Sequence, residues 1–181
     1  MARLYTRSGD AGTSRLADGT TVAKNHWRLE VCGALDELGA QIGLARTSAP
    51  DPQMNGFLAT VQGLLLRVSA QFADPLRLES GISEADLRSV EVEIDRADGL
   101  CPRLRSFLLP AGCPSACAMH VARTVCRRVE RVIVAEANDH GLPRNALPFV
   151  NRLSDLLFAY ARVCNVLEGV REEEWQNGTE G

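Results

Sequence analysis

Apolar residues recur at helical spacing in five stretches of this chain, and between them the pattern breaks into segments rich in Gly, Pro, Ser and Asp. From about Asn25 to Ser48, the residues Leu35, Leu38, Ile42 and Ala45 follow at three or four positions, and Pro50 with Pro52 stops the run. From about Gln53 to Ala73 the stripe is Phe57, Val61, Leu64, Leu65, Val68 and Phe72, ended by Asp74-Pro75. Ser83, with Asp86 three residues on, predicts a capped start for a third helix to about Ala97, with Leu87, Val90 and Ile94 on one side. A fourth helix contains His120 to Arg131. A fifth runs from about Asn145 to Leu167, beyond the turn Asn138 to Pro143.

Neither helical nor strand periodicity is sustained in residues 1–24 or 98–114, and no strand is expected there. The pattern therefore predicts an all-α, up-and-down bundle of about five helices, one domain over residues 1–181. The acidic tail, residues 169–181, is expected to fray.

The fourth helix is the one with unusual chemistry. At about 100° per residue, His120, Arg123, Arg127, Glu130 and Arg131 fall on one stripe. Val121, Val125, Val129 and Val132 fall opposite, as the expected buried side. The polar stripe reads either as a solvated face with charge pairs or as an anion clamp, since the guanidinium fork suits phosphate oxygens. In the fifth helix Asn151, Asp155, Phe158 and Arg162 share a stripe among leucines, the mark of a partly buried polar network. In the first, Gly33, Gly39 and Gly43 surround Asp36 and Glu37; glycine inside a helix weakens it, which points to close approach of a backbone or ligand. Asp36 is then either exposed to water or buried against a cation.

The loops leave similar choices. Gly9, Gly12 and Gly19, with Arg7, Arg15 and Lys24 nearby, make residues 1–24 either a phosphate cradle or a connecting terminus. Neither a Walker A nor a Rossmann spacing is present. The run Phe107-Leu108-Leu109 is either loop tucked over the core or an apolar wall offered to a ligand beside the Arg stripe.

Composition narrows the partners. A formal charge of -3 argues against a nucleic-acid or anionic-membrane surface, so clustered Arg serves a small anion or an internal ion pair. The N-terminal residues lack an apolar signal core, and no apolar run approaches the roughly 20 residues that span a bilayer. The chain reads as cytoplasmic. Its six cysteines are scattered and are expected to be reduced; Cys113, Cys117 and His120 lack the spacing of a metal site, and none is assigned.

Four blocks resemble one family, the PduO-type ATP:cob(I)alamin adenosyltransferases. They are Tyr5-Thr-Arg-Ser-Gly-Asp-Ala-Gly-Thr13; Gly33-Ala-Leu-Asp-Glu-Leu38; Phe107-Leu-Leu-Pro-Ala-Gly112 followed by His120 to Arg131; and Asn151-Arg-Leu-Ser-Asp155. The resemblance implies a homotrimer of helix bundles with sites between subunits. It implies transfer of the 5′-deoxyadenosyl group of ATP, with Mg²⁺, to Co(I) of cobalamin, and release of triphosphate. It further implies a reductase that supplies electrons and an adenosylcobalamin-dependent enzyme that takes the product.

By the same resemblance the loop of Thr6, Arg7, Ser8, Gly9, Asp10, Gly12, Thr13, Ser14 and Arg15, with Lys24, holds ATP phosphates. Arg127, Arg128, Glu130, Arg131 and Asn151 match later nucleotide-binding positions. Asp36 and Arg123 match an intersubunit salt bridge, and Phe107 matches the aromatic residue that displaces the lower axial ligand of cobalt. The chain departs from the family pattern at Ser8, Ala11, His26-Trp27, Gly39 and Ala111.

Overall fold

Each of the five apolar stripes is a helix in the computed structural model of the chain, which describes residues 5, 7, 9–74 and 81–175, with the backbone alone at 137–140. The helices are α1 (Trp27–Arg46), α2 (Pro52–Ala73), α3 (Glu84–Gly99), α4 (Pro114–His140) and α5 (Ala146–Leu167). The packed pairs are α4 with α5, α1 with α4, α1 with α2, and α3 with α5, so the neighbours run α2, α1, α4, α5, α3 across the bundle. α4, the Arg helix, lies in the middle.

The ends of the helices follow from local chemistry. Ser83 and Asp86 form the reciprocal capping box expected of them, with Asp86 N–H donating to Ser83 Oγ at 3.1 Å and Ser83 N–H to Asp86 Oδ2 at 2.8 Å. Asp51 caps α2 through Gln53 N–H, and Pro52 opens that helix where its missing N–H costs nothing. α1 uses an unusual cap. His26 Nδ1 accepts from Arg28 N–H at 3.3 Å, so the histidine that departs from the family pattern still satisfies an end of the helix.

α5 supplies the largest share of the core, with Phe149, Val150, Leu153, Leu156, Leu157, Tyr160 and Val163 all fully buried. Its one buried hydroxyl of consequence, Tyr160, donates to Glu93 Oε1 at 2.6 Å, and Arg96 forks onto the same carboxylate. Burial by itself would raise the Glu93 carboxyl, but Arg96 and Tyr160 together hold it below its ordinary value. This network joins α3 to α5.

Three expectations need correction. Residues 1–24 are not all loop: β1 (Thr13–Arg15) and β2 (Thr21–Ala23) form an antiparallel hairpin pairing Thr13 with Ala23 and Arg15 with Thr21. Three-residue strands are too short to show a period of two, which is why the pattern missed them. The buried side of α4 is rotated from the valine stripe. Val129 is buried and Val125 and Val132 pack against the core as expected, but Val121 is 48% exposed. Met119, Ala122, Cys126 and Ile133 complete the buried face, with Cys126 Sγ meeting Val150 O of α5. The tail does not fray at once, since residues 172–175 are bonded to the loop before α4. Residues 176–181 lie outside the described residues.

One glycine of the 98–114 loop is fixed by its surroundings. Gly112 has φ 124°, and a Cβ there would lie 2.1 Å from Asn165 Oδ1. Asn165 is buried and accepts from Cys113 N–H at 3.0 Å, so it cannot retreat. Gly112→Ala is expected to cost about 2–4 kcal/mol in chemical denaturation, from strain plus a broken buried hydrogen bond. Its neighbour Ala111, where the family pattern has glycine, does not take a positive φ and tolerates its Cβ.

Candidate active site

The stripe on α4 opens onto a cleft of about 410 Å³. Arg123 and Arg127 come from α4, Ser154, Asp155 and Phe158 from α5, and Leu104, Ser106, Phe107 and Leu108 from the loop between α3 and α4. Arg123 lies over the Phe158 ring, 5.8 Å from its centre, and His120 is 6.2 Å from the same ring. The cleft thus has an aromatic floor, two guanidiniums on one side and an apolar loop on the other.

Its electrostatics are unbalanced. Among the described residues no carboxylate lies within 4.0 Å of the guanidinium nitrogens of Arg123 or Arg127. Arg123 Nε, His120 Nδ1 and Ser106 Oγ are buried with no hydrogen-bond partner among those residues. Burial first, and then the neighbouring Arg127, pull the Arg123 guanidinium below its ordinary value. The same two causes, burial and the Arg123 charge, depress His120 from its usual 6.5 to about 4. His120 is therefore neutral near pH 7. The folded chain refuses a proton that the unfolded chain takes, so stability falls as pH drops from about 6.5 towards 4. Two adjacent cations with no carboxylate in ion-pair contact, Asp155 being the one acidic residue of the lining, form a surface that an anion would stabilise.

Phe107 is 80% exposed, the most open large apolar side chain of the described residues. Of the two readings of its loop, the geometry matches the wall offered to a ligand. Its ring is not held by the core of its own chain.

The other expected positions fall into three groups. Asn151 and Glu130 meet between α5 and α4, with Asn151 Nδ2 donating to Glu130 Oε1 at 2.8 Å. Arg128 pairs with Glu37 of α1, and Arg131 is exposed. The Arg128–Glu37 pair has side chains 42% and 47% exposed, where an ion pair is worth only about 0–1 kcal/mol, so a multivalent anion competes for Arg128 readily.

The second group is the hairpin. Lys24 N–H donates to Gly12 O at 2.9 Å, and a Cβ on Gly9 would meet Lys24 Nζ at 3.2 Å, so the Gly9–Thr13 turn wraps the lysine side chain. Arg7 and Gly12 take positive φ, 61° and 80°, which curls the segment around Asp10. Arg15 Nε donates to Gly19 O at 3.1 Å, which ties that guanidinium to its own hairpin turn. Thr13 and Ser14 lie in β1; Thr6 and Ser8 lie outside the described residues. Asp18 with Arg28, 2.9 Å apart, anchors the hairpin to the start of α1. The hairpin is not among the elements packed on α4 of the same chain.

The third is Asp36. It is exposed, at the edge of a second hollow of about 280 Å³ lined by Leu35, Gly39, Ala40, Gln62, Leu65, Leu66 and Ser69. Leu66 there is 70% exposed. Of the α1 glycines only Gly43 meets a close neighbour, Gln62 Nε2 at 3.2 Å from a would-be Cβ, while Gly33 and Gly39 face open space. Asp36 and Arg123 are not paired within one chain.

The chain is similar to known proteins over most of its length. The family described as cobalamin adenosyltransferase matches residues 4–164. The chain belongs to that family. The corrinoid adenosyltransferase PduO of Citrobacter freundii is 40% identical over 163 residues, 88% of this chain and 49% of the relative, so the chain spans about half the length of that protein. The corrinoid adenosyltransferase of Mycobacterium tuberculosis is 39% identical over 175 residues, covering 91% of this chain and 90% of the relative. A variant PduO-type ATP:corrinoid adenosyltransferase from Lactobacillus reuteri, complexed with cobalamin and ATP, superposes with a TM-score of 0.91 at 31% identity, covering 97% of this chain and 100% of that one. The all-α bundle expected from the apolar pattern is the fold of this adenosyltransferase family.

Several cleft residues escaped the sequence. Leu104 and Ser106 sit in aperiodic loop, which carries no facial signal. Ser154 lay between leucines, and only its position next to Asp155 and Phe158 on one helix face hinted at the cleft. No described helix is long and apolar enough to cross a membrane.

Proposed function

We propose that this adenosyltransferase-family chain moves the 5′-deoxyadenosyl group of ATP onto Co(I) of a corrinoid and releases triphosphate. The observation that carries it is Arg127, with no carboxylate in ion-pair contact among the described residues, facing an exposed Phe107 across one cleft. In the reaction the Co(I) electron pair forms the Co–C5′ bond. The C5′–O bond breaks, and its electrons leave with the triphosphate. Co(I) is already a strong nucleophile, so no general base is required, and the neutral His120 is not asked to be one.

The protein's task is to align C5′ with cobalt and to stabilise the charge that accumulates on the leaving group. Arg127 supplies a fork for that charge, and Arg128 and Arg131 extend the cationic stripe. Asn151 and Glu130 offer neutral and acidic oxygens at its edge. ATP brings Mg²⁺, which takes mostly phosphate and water oxygens and one or two carboxylates; Glu130 and Asp10 are the acidic residues in the expected phosphate-binding set. The ion would neutralise phosphate charge there.

Since the hairpin is not packed on α4 of its own chain, Lys24 and the Gly9–Thr13 turn serve an ATP held by α4 of another copy, in a homotrimer with sites between subunits. Asp36 beside its hollow and Arg123 beside its cleft are complementary charges that lack each other within one chain. Pairing across the interface gives both a partner. Asp36→Asn is then expected to lower turnover by about tenfold and to loosen the trimer in sedimentation, since breaking one side of a desolvated pair is costly. Unchanged mass and turnover would remove the pair.

The setting is the cytoplasm, supported by six unpaired cysteines. A reductase supplies the electron that makes Co(I), and an adenosylcobalamin-dependent enzyme receives the product. The direct test is to incubate the protein with cobalamin, ATP and Mg²⁺ under strong reduction and follow the adenosylcobalamin spectrum. Folded protein that yields none rejects the proposal.

A further inference from the structure

We propose that Arg162 and Glu172 are positioning residues for Phe107, acting through a C-terminal strap. The inference rests on the function proposed above and adds to it a part of the chain outside every matched motif.

Phe107 has an exposed ring with no packing of its own, so only its backbone can hold it at the cleft. That backbone is held by the tail. Trp175 N–H donates to Phe107 O at 2.7 Å, Leu109 N–H donates to Glu173 O at 2.8 Å, and Leu108 bridges Glu174 in antiparallel fashion. The strap is too short to be stable as an isolated two-stranded ribbon. It needs an anchor, and one is present.

Arg162 of α5 is 2% exposed. Its Nε donates to Glu172 Oε1 at 3.0 Å and Nη2 to Glu172 Oε2 at 3.2 Å, a two-pronged grip on the tail. Nη2 also donates to Pro102 O at 2.5 Å and Nη1 to Asp98 Oδ1 at 3.3 Å, which ties the base of the Phe107 loop to the same guanidinium. One buried cation therefore clamps both edges of the ribbon that carries Phe107. Burial would lower that guanidinium, yet Glu172 raises it above its ordinary value, as expected of a charge that the tail helps to satisfy.

The consequence is a split in activity. In the role that the family resemblance implies for it, Phe107 acts where cobalt must lose its lower ligand, in cob(II)alamin conversion, and less once Co(I) is supplied ready-made. Glu172→Ala, or a chain ending at Arg171, is expected to slow cob(II)alamin conversion about tenfold while turnover of pre-reduced cob(I)alamin stays within about twofold. KM for ATP should not move. The electron paramagnetic resonance signal of four-coordinate cob(II)alamin should weaken in parallel, and exchange of the Leu109 amide should accelerate. Glu172→Gln keeps an acceptor for Arg162 and should recover part of the loss. Combined with Phe107→Ala, the truncation should add nothing further.

Equal loss in both assays, an unchanged Leu109 amide, or additive effects with Phe107→Ala would overturn the clamp. Absence of cob(I)alamin turnover in the wild-type protein would overturn the parent reading as well. A wild type that turns over, shows the split in Phe107→Ala and ignores the tail variants defeats the strap alone.

Discussion

Arg127→Ala lowers kcat/KM for ATP by about 100- to 10,000-fold in the adenosylation assay. The size follows from charge-assisted hydrogen bonds of about 1.5–3 kcal/mol each, of which a guanidinium fork makes two, at about 1.4 kcal/mol per factor of ten. The loss is assigned to chemistry rather than folding because Arg127 is exposed and has no ion-pair partner among the described residues. Its removal even relieves the repulsion that lowers Arg123. Thermal melting should therefore be unchanged or slightly improved. Arg127→Lys keeps the charge without the fork and should fall between the two. Wild-type kinetics in Arg127→Ala would take this residue out of the site.

Phe107→Ala slows cob(II)alamin conversion by about 100-fold, the equivalent of about 120 mV in a one-electron couple at about 59 mV per factor of ten. Turnover of pre-reduced cob(I)alamin should change by about threefold or less under the role the family resemblance implies for Phe107, displacement of an axial ligand that is lost once Co(I) forms. At 80% exposure the ring contributes little to stability, and an exposed substitution is typically worth about 0.5 kcal/mol or less. A chain that loses both activities equally, or that melts much earlier, would show Phe107 to be ordinary packing.

The bundle was legible because a helix of 16 to 27 residues repeats its apolar stripe several times over. Even Ser83 and Asp86 announced their cap. The hairpin was not legible, since three residues per strand cannot show alternation. The buried side of α4 was legible only in part: Val129 is fully buried and Val125 and Val132 pack against the core, but Val121 is open and Met119, Ala122, Cys126 and Ile133 complete the buried face. For the site, the Arg stripe and Phe107 stood out in the sequence. Ser106, Ser154 and the Glu172 clamp did not: the two serines line a cleft that exists only once the loop, α4 and α5 are packed, and the clamp joins distant segments.

The sequence by itself determined the number of helices, most of their ends, and the presence of several cations on one face of α4, all of which depend on spacing within a few residues. The end of α4 is the exception, since that helix runs on to His140 through the start of the turn expected at Asn138 to Pro143. Only the tertiary structure decided that Arg123 and Arg127 lack a carboxylate partner, that Arg128 is engaged by Glu37, and that residues 172–175 hold the Phe107 loop. Whether a charge is satisfied depends on what the rest of the chain brings within about 4 Å of it. Periodicity along one element carries no information about that.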